Sequence, residues 1–92
     1  MKIRYYIDLS TELPHIYNHN VAEGEVEEIL RQPGEDRPGR EGSRIALGKT
    51  GDGRFLRVIY VADPGPQSVF VITAYELEGK PLVAYKRRRR KK

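Results

Sequence analysis

Five polar or basic side chains in the middle of this sequence have the chemistry needed to bind a phosphate ester and act on it. They fall between residues 43 and 76, and they are Arg44, Lys49, Arg57, Thr73 and Tyr75. A guanidinium binds phosphate through paired hydrogen bonds, and a tyrosine stacks on a base or donates a proton. The pattern indicates a shallow groove in which Arg57 and Arg44 bind a phosphate and Tyr75 stacks on a base or donates a proton. The simpler alternative is that Arg57 is a solvated strand residue and that Tyr75 covers apolar surface.

Two histidines, His15 and His19, are four residues apart, a spacing at which helical side chains can share a metal ion. The chain has no cysteine, and no other histidine or carboxylate pattern completes a metal site, so we predict neither a metal nor another cofactor. His19 is a candidate general acid or base, because an imidazole exchanges protons near neutral pH. The alternative is that the histidines pack at a helix end beside Tyr17.

A three-stranded antiparallel meander must position these side chains. Its segments are rich in β-branched and aromatic residues and bounded by Gly, Pro and Asp, and they are Arg44–Gly48, Arg54–Val61 and Val69–Tyr75. Pairing Lys49 with Arg54, and Val61 with Val69, places Arg57 opposite Thr73 and divides the sheet into two faces. The open face then carries Arg44, Ala46, Phe55, Arg57, Ile59, Val71, Thr73 and Tyr75. The covered face carries Ile45, Leu47, Leu56, Val58, Tyr60, Phe70, Ile72 and Ala74.

The remaining sequence predicts elements that cover this sheet. The alternation over Lys2–Asp8 indicates a first strand, and helix signals follow over Pro14–Asn20 and Glu23–Arg31. Residues 32–42 are rich in Pro, Gly and charge and predict a loop, and Leu82–Tyr85 favours a short edge strand. We therefore expect an α+β fold in which two N-terminal helices pack on one face of a three- to five-stranded, mainly antiparallel sheet.

The positive charge of the chain is concentrated at its end. The net charge of the 92 residues is +4, and every residue from Lys86 to Lys92 is Lys or Arg. Residues 1–85 form a mildly acidic body, which we predict to be a single domain, followed by a basic, disordered tail at 86–92. Such a tail binds RNA or DNA through side chains that include Arg87, Arg88, Arg89 and Arg90. The alternatives are that the tail binds an acidic segment of a partner protein, or that it is inert or removed by processing.

Neither a membrane segment nor a signal peptide is evident. No apolar run approaches the roughly 18 residues needed to cross a membrane, and the first six residues lack the apolar stretch of a signal peptide. The absence of cysteine is compatible with a reducing compartment. We expect a soluble, cytoplasmic protein that does not bind membranes.

Several short segments of the sequence resemble the BrnT-type branch of the RelE/ParE toxin superfamily. His19-Asn-Val-Ala22, the acidic helix Glu25-Val-Glu-Glu-Ile-Leu30 and the following Pro33 are similar to that group's first helical region. Gly53–Tyr60 and Val71–Tyr75 resemble its two central strands. The resemblance covers roughly residues 13 to 76 and extends to small uncharacterised bacterial proteins that neighbour BrnT.

This resemblance implies a RelE-like fold and a ribonuclease toxin that is neutralised by a small antitoxin protein. In such enzymes the 2′-hydroxyl attacks the adjacent phosphate of RNA, in some cases on the ribosome, without a metal. Arg57 and Tyr75 match the groups that stabilise charge and move protons, His19 is a further base candidate, and Arg44, Lys49 and Thr73 would bind the RNA. The alternatives are a non-catalytic nucleic-acid-binding module and a protein-interaction module.

Overall fold

Strands dominate the first three quarters of the chain, and an α-helix follows them. The structure, a computed structural model, describes residues 1–65 and 67–90. The elements in these residues are β1 (Lys2–Tyr5), β2 (Ile7–Asp8), β3 (Leu13–Pro14), a 3-10 helix (His15–His19), α1 (Glu23–Arg31), β4 (Glu35–Pro38), a second 3-10 helix (Arg40–Gly42), β5 (Arg44–Lys49), β6 (Phe55–Ala62), β7 (Ser68–Glu76) and α2 (Gly79–Arg90).

The central layer is a five-stranded sheet with the strand order β1-β7-β6-β5-β4, and β2 pairs with β3 in a separate small sheet. β1 runs parallel to β7, whereas the other neighbours in the large sheet are antiparallel. β1 pairs only with the first part of β7, from Ser68 to Val71. The 3-10 helix His15–His19 contacts β7 as well. This arrangement brings the histidines close to the sheet.

Helix α1 covers one face of the sheet. Val26 and Ile29 are 0% and 1% exposed and pack on a core that includes Leu56, Val58 and Val71. Burying side chains of this size stabilises the fold by roughly 1.5–3 kcal/mol each. The helix begins with a backbone N–H of Ala22 that donates to Glu25 Oε1 at 3.0 Å. The predicted helix over Glu23–Arg31 is confirmed.

Helix α2 packs on the opposite face. Tyr85 and Leu47 are 4% and 1% exposed, and together with Leu77 they form a second apolar cluster. The hydroxyl of Tyr85 approaches Gly34 so closely that a Cβ at that position would lie 1.9 Å from the oxygen. The sheet is therefore covered by one helix on each face.

The predicted arrangement of two N-terminal helices on one sheet face is wrong. Residues 15–19 form only a short 3-10 helix, which ends at Asn20 in the left-handed conformation. The second long helix is α2, and it occupies residues for which we expected an edge strand and the start of a disordered tail. Leu82 and Tyr85 are three residues apart, so a helix places both on the sheet. Residues 86–90 continue α2, whereas the last two tail residues, 91 and 92, lie outside the described residues.

Two further differences concern the strands. β4 lies within the predicted loop, where Glu35 to Pro38 pair with β5 despite weak strand propensity. The first strand is shorter than the predicted Lys2–Asp8, because β1 ends at Tyr5 and the chain continues into β2.

Candidate functional site

Arg57 and Tyr75 form the centre of the candidate site. They lie directly opposite each other on β6 and β7, so the predicted pairing of Arg57 with Thr73 is wrong by two residues. Arg57 Nη1 donates to Tyr75 Oη at 3.3 Å, and Arg57 Cζ is 5.8 Å from the centre of the Tyr75 ring. The guanidinium and the phenol therefore meet on the sheet face predicted to be open.

His19 completes this group. It projects from the 3-10 helix beside β7, and its ring centre lies 5.8 Å from that of Tyr75, with the ring planes 61° apart. Arg57, Tyr75 and His19 are called the reactive cluster below. The sequence identified all three as candidates, and the fold brings them together from three separate elements.

The Arg57 guanidinium retains unused hydrogen-bonding capacity. Among the described residues it has no carboxylate partner, and its Nε and the Oγ1 of nearby Thr73 are buried without a hydrogen-bond partner. Most buried polar groups in folded proteins are paired, so such atoms often mark a functional region. The predicted proximity of Thr73 to Arg57 is retained, because Thr73 faces Ile59, two residues along β6.

A row of polar residues extends the reactive cluster beyond His19. The rings of His15 and His19 lie 5.2 Å apart between centres, and His15 Nδ1 is 3.4 Å from Asp8 Oδ2. Ser10 and Asn18 also donate hydrogen bonds to Asp8, which hold the pKa of that carboxyl well below its ordinary value. Sequence reasoning missed Asp8. Its one signal was the Asp-x-Ser spacing, which is typical of a turn in which a carboxylate accepts a backbone N–H.

Arg44 does not join the reactive cluster. Lys49 pairs with Phe55 and not with Arg54, which moves β5 by one residue and turns Arg44 to the face of α1. There Arg44 Nε donates to Asp36 Oδ1 at 2.7 Å. Tyr60 also donates to Asp36, and burial together with this carboxylate raises the pKa of Tyr60 to about 12. The predicted position of Arg44 on the open face beside Arg57 is therefore wrong.

Lys49 lies in a second region, a groove between α2 and the chain before β4. The groove has a volume of about 830 Å³ and is lined by residues that include Lys49, Phe55, Tyr85, Lys86, Arg89 and Arg90. The ammonium groups of Lys49 and Lys86 lie 5.5 and 5.0 Å from the centre of the Phe55 ring. We call this region the α2 groove.

The four consecutive arginines of α2 point in different directions. Arg88 makes two hydrogen bonds to the carboxylate of Glu35, at 2.5 and 2.9 Å, and Arg89 Nη1 donates to the carbonyl oxygen of Gly34 at 2.9 Å. Arg90 lines the α2 groove, whereas Arg87 lies beside Lys80 and Val83 in a different surface depression. The helix thus separates cations that a disordered tail would present together.

Residues 16–76, about two thirds of the chain, match the model of a family described as Domain of unknown function (DUF4258), and the chain belongs to that family. No curated protein and no solved structure matches it. The matched range includes the reactive cluster and excludes α2. The family match therefore includes the whole reactive cluster and only part of the α2 groove.

Residues 1–65 and 67–90 contain neither a clustered set of metal-ligating side chains nor a membrane-spanning helix. No group of three or more His, Cys, Asp or Glu side chains in these ranges is placed to hold a metal ion. No helix in the same ranges has the length and apolar character to cross a membrane.

Proposed function

We propose that this protein is an endoribonuclease that cleaves RNA by acid–base chemistry and acts as the toxin of a toxin–antitoxin pair in the cytoplasm. The observation that carries the proposal is the meeting of a guanidinium, a phenol and an imidazole in the reactive cluster. These are the three functions that cleavage of a phosphodiester without a metal requires: charge stabilisation, proton donation and proton uptake.

In the proposed reaction, the 2′-oxygen of a ribose forms a bond to the adjacent phosphorus, and the bond from phosphorus to the 5′-oxygen breaks. His19 takes the proton of the 2′-hydroxyl, and Tyr75 donates a proton to the departing 5′-oxygen. Arg57 stabilises the negative charge that builds up on the phosphate oxygens. The products are a 2′,3′-cyclic phosphate and a free 5′-hydroxyl.

The toxin role rests on the resemblance of the central strands and the acidic helix to BrnT-type proteins. The proposed partner is a small antitoxin protein that binds this chain and blocks access to the reactive cluster. Ribosome-bound RNA is one substrate consistent with the proposal.

A cleavage assay tests the proposed activity. The purified protein is incubated with labelled RNA in the presence of a metal chelator, and the product ends are identified. We expect cyclic phosphate ends, and we expect the Arg57→Ala, Tyr75→Phe double variant to lose at least about 100-fold of the rate. The Lys80→Ala variant, altered on the outer side of α2, is the control and should cleave normally. Failure of the parent protein to cleave any RNA, or cleavage by the double variant at the parent rate, would overturn the proposal.

A non-catalytic nucleic-acid-binding module is the second candidate function, and the α2 groove favours it. Its cations need no chemistry to bind a polyanion. In that case RNA binding persists while no cyclic phosphate forms.

A further inference from the structure

We propose that the α2 groove is a phosphate-binding subsite for single-stranded RNA, in which Lys49 and Lys86 bind the backbone beside the segment held at the reactive cluster. The inference deepens the proposed function and rests on it for the nature of the substrate. It assigns a role to a region that lies partly outside the residues matched by the family.

Folding brings the two lysines together from distant parts of the chain. Lys49 ends β5 and Lys86 lies in the third turn of α2, yet both ammonium groups are held against the Phe55 ring. Neither lysine has a salt-bridge partner within the described part of the chain. Each ammonium group lies within 5.5 Å of the same ring centre, so an anion bound in the groove supplies both lysines with an opposite charge.

The groove is connected to the reactive cluster along one strand. Phe55 and Arg57 are two residues apart on β6, so their side chains point to the same face and are separated by about 7 Å. A polynucleotide that passes Arg57 can therefore reach Lys49 and Lys86 without crossing the sheet. This distance makes the groove a neighbouring subsite and not an independent site.

The shape and composition of the groove favour a single strand. Proteins that bind single-stranded nucleic acids combine a cationic groove with aromatic side chains. The α2 groove has both, since Phe55 and Tyr85 lie among its cations. Tyr85 is itself buried, so Phe55 is the aromatic surface available beside the backbone.

Two exposed lysines outside the α2 groove provide a matched control. Lys2 lies on β1 and Lys80 lies in the first turn of α2, neither lines the groove, and both are exposed like Lys49 and Lys86. The double variants K49A/K86A and K2A/K80A remove the same charge from a surface without removing buried contacts. Any difference between them reports the position of the charge and not its amount.

The test measures binding of a fluorescent single-stranded RNA whose riboses carry 2′-O-methyl groups, so that cleavage cannot occur. We expect K49A/K86A to bind at least about tenfold more weakly than the parent, and K2A/K80A to bind within about twofold. The dependence of log affinity on log salt should become less steep by about 1.4 in K49A/K86A, because about 0.7 is lost for each phosphate contact. K49R/K86R should retain binding, and unchanged thermal unfolding in all variants verifies folding.

Equal weakening in both double variants would mean diffuse attraction to a basic surface, and unchanged binding in K49A/K86A would mean that the groove is not used; either result overturns the inference. Tighter binding of duplex RNA than of the single strand would overturn the choice of ligand. Because the probe cannot be cleaved, this result is independent of the activity assay. An inactive parent that still shows the K49A/K86A effect would reject the proposed enzyme and retain the binding subsite.

Discussion

Arg57 Nη1 donates a hydrogen bond to the hydroxyl of Tyr75 at 3.3 Å, across a pair of residues that lie directly opposite on β6 and β7. The bond fixes the phenol next to a permanent cation. If the two groups act in one step of the reaction, the loss of either one removes most of the rate enhancement that the pair provides.

We therefore predict that the effects of Arg57→Ala and Tyr75→Phe on RNA cleavage are not additive. Each single variant should lose about 100-fold or more of the rate, and the double variant should be little worse than the more damaged single one. Single-turnover rates for the four proteins of this cycle provide the measurement. Multiplication of the two losses in the double variant would show that the groups act independently.

Gly34 is required by the close approach of α2. A Cβ at this position would lie 1.9 Å from Tyr85 Oη, so Gly34→Ala should displace the tyrosine and reduce the free energy of unfolding by about 1–3 kcal/mol. Gly24→Ala is the control, because nothing lies within 4 Å of its added Cβ and alanine favours the helix. Urea unfolding should show destabilisation for the first variant and unchanged or increased stability for the second. A G34A/Y85F variant, which lacks the clashing hydroxyl, should recover part of the loss.

The packing of Tyr85, and not the Arg88 ion pair, should hold α2 on the sheet. Arg88 is 43% exposed, and ion pairs at exposed positions contribute little to stability because water and salt screen them. Tyr85 is 4% exposed, and truncation of a buried aromatic side chain to alanine costs about 3–5 kcal/mol. Urea unfolding of Arg88→Ala and Tyr85→Ala provides the comparison. Similar losses in the two variants would contradict this order.

Asp63 should make the fold sensitive to acid. Arg4 makes two hydrogen bonds to this carboxylate, both at 2.8 Å, and Ser68 donates a third, which together lower the pKa of Asp63 to about 2. A carboxyl whose pKa is lowered by folding stabilises the protein above its ordinary pKa of 3.8. That stabilisation decreases as the pH falls from about 3.8 towards 2. The free energy of unfolding of the parent and of Asp63→Asn is measured from pH 6 to pH 2. The parent should be more stable at pH 6 and should lose this advantage between pH 3.8 and pH 2. A stability difference that stays constant would contradict the lowered pKa of Asp63.

Local signals in the sequence predicted some elements well and the faces of the sheet only in part. Helix α1 was predicted because its apolar period, acidic first turn and capping glutamate all agree. α2 was missed because its apolar residues are few and its cations resemble a solvated tail, although Leu82 and Tyr85 have helical spacing. The error in β5 has a different origin. Pairing Lys49 with Arg54, and not with Phe55, shifted this strand by one residue and assigned Leu47 to the wrong side.

The sequence correctly placed Arg57, Thr73 and Tyr75 on one face of the sheet, because the register errors do not change their relative facing. The side chains of Thr73 and Tyr75 share a face whichever neighbour pairs with them, because strand residues two apart point the same way. Arg57 was assigned to the same face, and this is correct because its predicted partner Thr73 and its observed partner Tyr75 are two residues apart. What sequence could not supply was the position of His19, which depends on a 3-10 helix lying beside β7.

The ladder between β6 and β7 shifts between Ile59 and Tyr60: Ile59 faces Thr73, Tyr60 faces Val71, and Ile72 is the extra residue of a β-bulge. Residues on either side of Ile72 would keep their faces and partners if it were deleted. A related chain with a regular β7 would be one residue shorter at this point. In an alignment of such chains, the gap belongs inside a strand and not in a loop, and a gap moved beyond the end of β7 would place Tyr75 in the wrong column.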